Sequence, residues 1–191
     1  MNSAHLPESY SEYKSVDLAK NKSEMLTVNL AALLLGAVMV VPAALLMPFP
    51  EIFDNFIQHL PVVLLFFASL IIYILLHEAV HGIFMKRYSK VKPFYGLKGI
   101  MYAYAGSTAF FDKRSYLVIS LAPVVLLGLV LVLLNLLVPL DWFWFVYIIQ
   151  VVNISGAAGD LYVMNMICKC PDDILVNDSG VSMKIYSATG I

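Results

Sequence analysis

The sequence predicts an all-α polytopic membrane protein with four transmembrane helices, and three observations support this fold class. Of the 191 residues, 61% are hydrophobic and 13% are charged, whereas a soluble domain is about 45–50% apolar and about 25% charged. Four apolar segments each exceed the roughly 20 residues that a helix needs to cross about 30 Å of hydrocarbon. Backbone groups inside a bilayer must be satisfied within their own segment, so we expect all four segments to be helices.

The four spans divide the chain into three parts. They run from about Met25 to Met47, Pro61 to Met85, Tyr116 to Val138 and Trp142 to Cys168. We therefore expect a four-helix membrane domain over residues 25–168, a cytoplasmic segment over residues 1–24 and a short cytoplasmic tail over residues 169–191. Pro42 and Pro123 lie inside two of the spans, and each removes one hydrogen bond from its helix and kinks it.

The segments outside the spans also carry patterns. Residues 1–24 are polar, and we expect a short surface helix there that continues into the first span. Glu51–Leu60 is amphipathic, and we expect it to lie along the bilayer interface on the side opposite the cytoplasm. In the central loop, Ile100–Tyr104 and Ser107–Phe111 are compatible with a short β-hairpin, which would offer an edge strand to an extended peptide; the alternative is an aromatic interfacial loop. Val181–Tyr186 has the composition of a strand.

The distribution of basic residues predicts the orientation of the chain. The loops between the first and second spans and between the third and fourth contain no Lys or Arg. The N-terminal segment and the central loop contain Lys14, Lys20, Lys22, Lys86, Arg87, Lys90, Lys92, Lys98, Lys113 and Arg114. Basic loops stay in the cytoplasm, so we expect a multi-pass membrane protein with both termini cytoplasmic. The net charge of −1 argues against a nucleic-acid partner, and Cys168 and Cys170 form no disulfide framework.

Four ionisable residues lie inside the spans, where such residues are rare. A charged side chain at the centre of a span costs on the order of 3 kcal/mol on insertion scales, and those that are present usually mark a function. His77 and His81 are four residues apart, so both imidazoles lie on one helix face and can ligate one zinc ion. Glu78 points about 100° away from His77. It is predicted to be the general base that accepts a proton from zinc-bound water, as in the H-E-x-x-H motif.

A catalytic zinc site needs a third protein ligand and an open position. Asp160 in the fourth span is the candidate for that ligand, because it lies about 13 Å from the basic inner end of its helix, and His77 and His81 lie about 13 and 7 Å from theirs. The alternatives are a chance motif and a packing role for Asp160. Asn153, two turns before Asp160, either hydrogen-bonds substrate or binds a neighbouring helix.

Three short patterns carry a family resemblance. The sequence His77-Glu78-Ala79-Val80-His81-Gly82 lies in one span, Leu121-Ala122-Pro123 in the next and Gly159-Asp160-Leu161-Tyr162 in the last. Together with the tail from Asp173 to Asp178, they resemble the bacterial putative zincin peptidase family of four-span membrane proteins, over nearly the whole chain. The resemblance implies a four-span fold, bound zinc and a location in the bacterial inner membrane.

A more distant similarity connects the chain to the site-2 intramembrane metalloproteases. Those proteins place a zincin motif in one transmembrane helix and an aspartate ligand in a later one, within an Asn…Leu-Asp-Gly pattern. Here Asp160 follows a glycine instead of preceding one, and Asn153 is one residue nearer the aspartate. The similarity implies that Asp160 is the third zinc ligand, and it extends with less support to Asn153 as a substrate-binding residue.

These observations predict a Zn²⁺-dependent endopeptidase that cleaves membrane-anchored protein substrates in or near the cytoplasmic side of the bilayer. In this hypothesis His77, His81 and Asp160 hold the zinc, and Glu78 is the catalytic base. Two alternatives remain open from the sequence. One is a non-proteolytic membrane protein that binds metal or haem, and the other is a zinc hydrolase that acts on a lipid-like substrate.

Overall fold

A computed structural model of the chain describes residues 2–17, 20–48, 59–98 and 102–188. Within these ranges the protein is mostly helical, with small antiparallel sheets. The helices are α1 (Lys22–Leu46), α2 (Leu60–Ser89), α3 (Lys113–Leu137), α4 (Phe143–Gly156) and α5 (Ala158–Cys168), with one 3₁₀ turn at Leu140–Trp142. The strands are β1 (Ser11–Val16), β2 (Phe94–Lys98), β3 (Tyr102–Gly106), β4 (Phe110–Asp112), β5 (Leu175–Asp178) and β6 (Met183–Ser187).

Among the described residues, four helical segments are long and apolar enough to cross a membrane, as the sequence predicted. They are α1, α2, α3 and the segment Leu140–Cys168, which contains α4 and α5. Their outer faces are strongly exposed; Leu33 and Leu45 in α1, for example, are 71% and 80% accessible. Burial of one such side chain is worth about 1.5–3 kcal/mol, so these faces are suited to lipid and not to water.

Three of the four membrane-length segments among the described residues begin or end at a local signal from their polar flanks. Asn21 caps α1 by accepting hydrogen bonds from the backbone N–H groups of Ser23 and Glu24. Asp112 caps α3 in the same way, through the N–H of Ser115. The helix α2 ends at Lys90, which has left-handed backbone angles with φ of 64°. These caps explain why the helices extend a few residues beyond the apolar runs.

The described residues are mostly helical, as expected, but small antiparallel sheets mean that the fold is not all-α, and the expected N-terminal surface helix is wrong. Ser11–Val16 forms strand β1, which pairs antiparallel with β6 in a four-stranded sheet of order β1-β6-β5-β4. The physical reason is a partner more than 160 residues away, because β6 supplies the hydrogen bonds that a helix would otherwise form locally. The strand expected in the tail is present as Met183–Ser187.

The central loop contains a β-hairpin, but its strands differ from those expected. Strand β3 pairs with β2, so that Tyr95 lies opposite Ala105. The segment expected to pair with it instead contributes β4, which joins the other sheet beside β5. Phe111 in β4 is fully buried against that sheet, and this burial explains the change of partner. Of the expected strand Ile100–Tyr104, residues 100 and 101 lie outside the described residues, as do residues 51–58 of the expected interfacial segment.

The fourth span is two helices and not the single helix expected. The chain leaves helical geometry at Ala157, where ψ is 8°, and α5 begins at the next residue. Ala157 and Ala158 are 0% and 3% exposed, and such small residues permit close helix packing in a membrane. The break places Asp160 in the first turn of α5, where the partial positive charge of a helix N-terminus favours a carboxylate.

Two apolar clusters of buried residues lie on either side of the helix break. One lies where the sheet meets the helices and includes Met85, Phe111 and Ile119. The other lies among the spans and includes Tyr73, Leu131 and Ile149. Along α2, His77, Glu78 and His81 lie between Tyr73 of the second cluster and Met85 of the first.

Candidate metal centre

Three side chains from α2 and α5 meet inside the helix bundle. Ligand atoms of His77, His81 and Asp160 all lie within 4.8 Å of one another. The Asp160 carboxylate is 3.3 Å from Nε2 of His77, through Oδ2, and 3.6 Å from Nε2 of His81, through Oδ1. The two imidazole side chains are only 12% and 10% exposed. The structure thus brings together the three residues selected from the sequence, while their role as zinc ligands remains a prediction.

The backbone of α3 holds the ring of His81. Nδ1 of His81 lies 2.9 Å from the carbonyl oxygen of Ile119. A carbonyl oxygen can only accept a hydrogen bond, so Nδ1 must carry the proton. In a neutral imidazole the other nitrogen then has a free lone pair, and this nitrogen, Nε2, is the one that faces Asp160. The hydrogen bond to Ile119 therefore sets the tautomer that metal binding requires.

A chain of three hydrogen bonds sets the same tautomer in His77. Nδ2 of Asn153 donates to the carbonyl of Val124 at 3.1 Å, which fixes the orientation of the amide. Its Oδ1 must then accept from the Tyr73 hydroxyl, which is 2.9 Å away. The hydroxyl has used its only proton, so it accepts from Nδ1–H of His77 at 3.2 Å. In a neutral His77 ring the free lone pair is then on Nε2, the nitrogen that lies 3.3 Å from the Asp160 carboxylate.

The donor set fits a zinc ion. Zinc bonds of about 2.0–2.2 Å in a tetrahedral site place neighbouring ligand atoms about 3.3–3.6 Å apart. The distances of 3.3 and 3.6 Å lie in that range but join the two imidazoles to different oxygens of Asp160. With one ligand atom taken from each residue, the three atoms lie within 4.8 Å of one another, so small side-chain movements would bring them to zinc-binding distances. Two neutral imidazoles and one carboxylate are also a ligand combination that catalytic zinc sites use. His77, His81 and Asp160 could therefore hold zinc with one position left open.

Glu78 lies beside this group but is not a member of it. Its Oε2 accepts a hydrogen bond of 2.7 Å from the backbone N–H of Ala105 in strand β3. Gly82, one turn further along α2, makes this contact possible, because a Cβ atom there would collide with the ring and hydroxyl of Tyr95 in β2. The absence of a side chain at Gly82 thus lets the hairpin lie directly against the motif helix.

All four ionisable residues line one cavity of about 640 Å³. Strand β3 contributes Ala103, Tyr104 and Ala105 to its wall, and the tail contributes residues between Asp178 and Met183. Asp178 is a half-buried acid that accepts a hydrogen bond from the hydroxyl of Tyr116. Burial raises the pKa of Asp178 above its ordinary value, although this hydrogen bond partly opposes the shift. The cavity is large enough for several residues of a peptide or for part of a lipid chain.

The structure defines the contacts of Asn153 and identifies three further residues of the site that the sequence did not indicate. Asn153 is fully buried and bridges Tyr73 and the backbone of α3, which fits the interhelical role left open for it; its contact with substrate remains a prediction. Tyr73 was not singled out, although its position four residues before His77 and eight before His81 places it on the same helix face. The roles of Ala105 and Ile119 depend on backbone atoms and left no signal in residue type.

The chain matches one known protein family over the region that contains the site. A family described as "Putative zincin peptidase" matches residues 70–175. That range is more than half of the chain and includes the H-E-x-x-H motif and Asp160. No curated protein and no solved structure matches the chain. Because the match covers more than half of the chain, the chain belongs to this family, described as "Putative zincin peptidase".

Proposed function

We propose that this protein is a zinc-dependent endopeptidase that cleaves membrane-anchored protein substrates in or near the cytoplasmic side of the bilayer. The observation that carries the proposal is the convergence of His77, His81 and Asp160 beside Glu78 in one cavity. The family assignment supports a zinc peptidase in general. The nature of the substrate and the mechanism are our own inference from the geometry.

Each residue of the site has a distinct role in this proposal. His77 and His81 hold the ion through Nε2, and Asp160 holds it through its carboxylate. Zinc, when bound, supplies a Lewis acid that increases the acidity of water and polarises a carbonyl group. Glu78 accepts a proton from water and returns it to the leaving amine. Because the N–H of Ala105 occupies Oε2 of Glu78, Oε1 is the atom that we expect to take the proton.

The position of β3 supports a peptide as the substrate. In an antiparallel pair, the backbone groups of alternate residues point to opposite edges of the strand. The N–H of Ala105 points to Glu78 and thus away from β2, and Ala103 shares that orientation. Both residues line the cavity. The N–H of Ala105 is occupied by Glu78 and its carbonyl lies close to Gly180, so the backbone groups of Ala103 are those that an extended peptide would pair with as it passes the metal site. A lipid would gain nothing from these backbone groups.

The charge distribution supports the cytoplasmic side. Lys86 and Arg87 lie in the last turn of α2, about 7 Å along the helix from His81. Basic residues at the end of a span favour the cytoplasmic face, so the site would be nearer to that face. A substrate helix must unwind locally before its backbone can pair with β3. We therefore expect substrates with helix-breaking residues near the cytoplasmic interface.

The proposal is tested by comparing membrane proteomes of cells that express wild-type protein or the Glu78→Gln variant. We expect substrate fragments only with the wild type, together with equal zinc content in both proteins. Glu8→Gln, on an exposed residue of the N-terminal segment, is the matched control and should be active. Full activity in Glu78→Gln would refute the mechanism. Changed lipids with unchanged peptides would indicate a lipid hydrolase. Haem in the purified protein would indicate a non-enzymatic role.

A further inference from the structure

We propose that Pro123 is a positioning residue for His81, because it frees the backbone carbonyl that orients this imidazole. The inference rests on the proposed function only in taking His81 as a metal ligand. Pro123 lies inside α3, in the middle of a membrane span. It does not contact the reacting atoms, and it acts through Ile119, which lies one helical turn earlier.

Helix geometry explains how a proline produces a free acceptor. In an α-helix, the carbonyl of one residue accepts a hydrogen bond from the N–H four residues later. The residue four positions after Ile119 is Pro123, which has no N–H, and the proline ring also pushes that carbonyl away from the helix axis. Ile119 is only 1% exposed, so water cannot replace the missing donor. The carbonyl of Ile119 therefore needs a partner from outside its helix.

His81 is that partner. Its Nδ1 lies 2.9 Å from the Ile119 oxygen, within the range of a good hydrogen bond. His81 is also buried, and its Nδ1–H is used by this bond. One bond between α2 and α3 thus satisfies two buried groups and directs Nε2 towards Asp160. Loss of such an outer partner typically lowers metal affinity 10–100-fold.

The other proline inside a span has no comparable role and provides a matched control. Pro42 lies in α1, and the carbonyl that it frees belongs to Val38. Val38 is 63% exposed on the outer surface, and Pro42 is exposed as well. Replacement of either proline restores one hydrogen bond in a transmembrane helix. Only the replacement at Pro123 provides a donor that competes with a histidine of the site.

The test compares Pro123→Ala with Pro42→Ala in full-length protein in detergent. Zinc affinity is measured by chelator competition, and the tautomer of His81 is measured in metal-free protein by long-range ¹H–¹⁵N spectra of ¹⁵N-histidine, assigned with His81→Gln. We expect Pro123→Ala to bind zinc about 10–100-fold more weakly and to show a changed His81 signal. We expect Pro42→Ala to match the wild type in both measurements.

A second variant separates the missing N–H from the shape of the proline ring. Lactic acid at position 123, introduced in place of proline, forms a backbone ester and provides neither a ring nor an N–H. We expect this variant to keep the wild-type zinc affinity and His81 signal. A changed His81 signal in the ester variant, or an unchanged one in Pro123→Ala, would overturn the inference. If wild-type protein binds no zinc, the proposed function fails, but the spectra of metal-free protein still test the role of Pro123.

Discussion

Removal of the Tyr73 hydroxyl should weaken zinc binding although Tyr73 is not a predicted ligand. The Tyr73→Phe variant loses the bond to Asn153 at 2.9 Å and the bond to His77 at 3.2 Å. Hydrogen bonds inside a membrane contribute about 0.6 kcal/mol on average and up to about 1.7 kcal/mol. We therefore expect the free energy of unfolding to fall by about 1–3 kcal/mol. We expect zinc affinity to fall about 10–100-fold, because Nδ1 of His77 loses the group that fixes its tautomer.

The assay is chelator competition on purified protein, with Tyr147→Phe as the control. Tyr147 also donates a hydrogen bond between helices, to the carbonyl of Met39 at 2.9 Å, but it does not contact either histidine. Asn153→Ala should reduce zinc affinity through the same chain, so its effect and that of Tyr73→Phe should not add in the double variant. Equal zinc affinity in Tyr73→Phe and wild type would refute the reasoning. Additive losses would show that the two residues act separately.

Two further predictions concern the hairpin and the tail. Gly82→Ala should lower turnover while zinc affinity stays within about twofold, because a methyl group there displaces Tyr95 and with it the N–H that holds Glu78; equal losses in both measurements would contradict this reasoning. Burial raises the pKa of Asp178 in the folded protein above its ordinary value of 3.8. The protonated carboxyl therefore stabilises the fold fully below pH 3.8, and this stabilisation is lost as the pH rises through the raised pKa. As the pH is raised from about 4 to about 8, the melting temperature of metal-free wild type should therefore fall more than that of metal-free Asp178→Asn, which cannot ionise at this position. Identical pH profiles of the two proteins would exclude this role of Asp178.

The spans could be predicted from the sequence because the bilayer imposes a length and a composition on each of them. The predicted second span, Pro61–Met85, differs from α2 by one residue at its start and four at its end. Those four residues, from Lys86 to Ser89, are polar or basic and continue the helix after the apolar run. A hydropathy pattern does not detect this extension, since an interfacial helix need not be apolar.

The sheet could not be predicted with the same success, because its hydrogen bonds join distant parts of the chain. Strand β1 pairs with β6 near the other end of the sequence, and no local pattern identifies such a partner. Tyr13 and Val16 favour strands, but the charges of Glu12 and Lys14 also suit an exposed helix. The break at Ala157 was missed for a related reason, since small residues are compatible both with a continuous packed helix and with an interrupted one.

The candidate ligands could be selected from the sequence because charged groups are so rare within the spans. Equal depth from the inner ends of their helices placed Asp160 with His77 and His81, and the structure has all three together. Two of the groups that orient the site residues could not be selected in this way. The carbonyl of Ile119 and the N–H of Ala105 are backbone atoms, and every residue has both of these groups except proline, which lacks the N–H. Their roles depend on three-dimensional contacts that residue type does not reveal.

The most direct test of the metal centre is the zinc content of mildly purified protein, compared between wild type, Asp160→Asn and the control Asp141→Asn. Asp141 lies in the short turn before α4 and is exposed, so its replacement removes the same charge at the end of a span and away from the site. Our account predicts about one zinc ion per chain in the wild type and in Asp141→Asn, and affinity at least about tenfold weaker in Asp160→Asn. Wild-type protein without zinc, or Asp160→Asn with undiminished affinity, would contradict it.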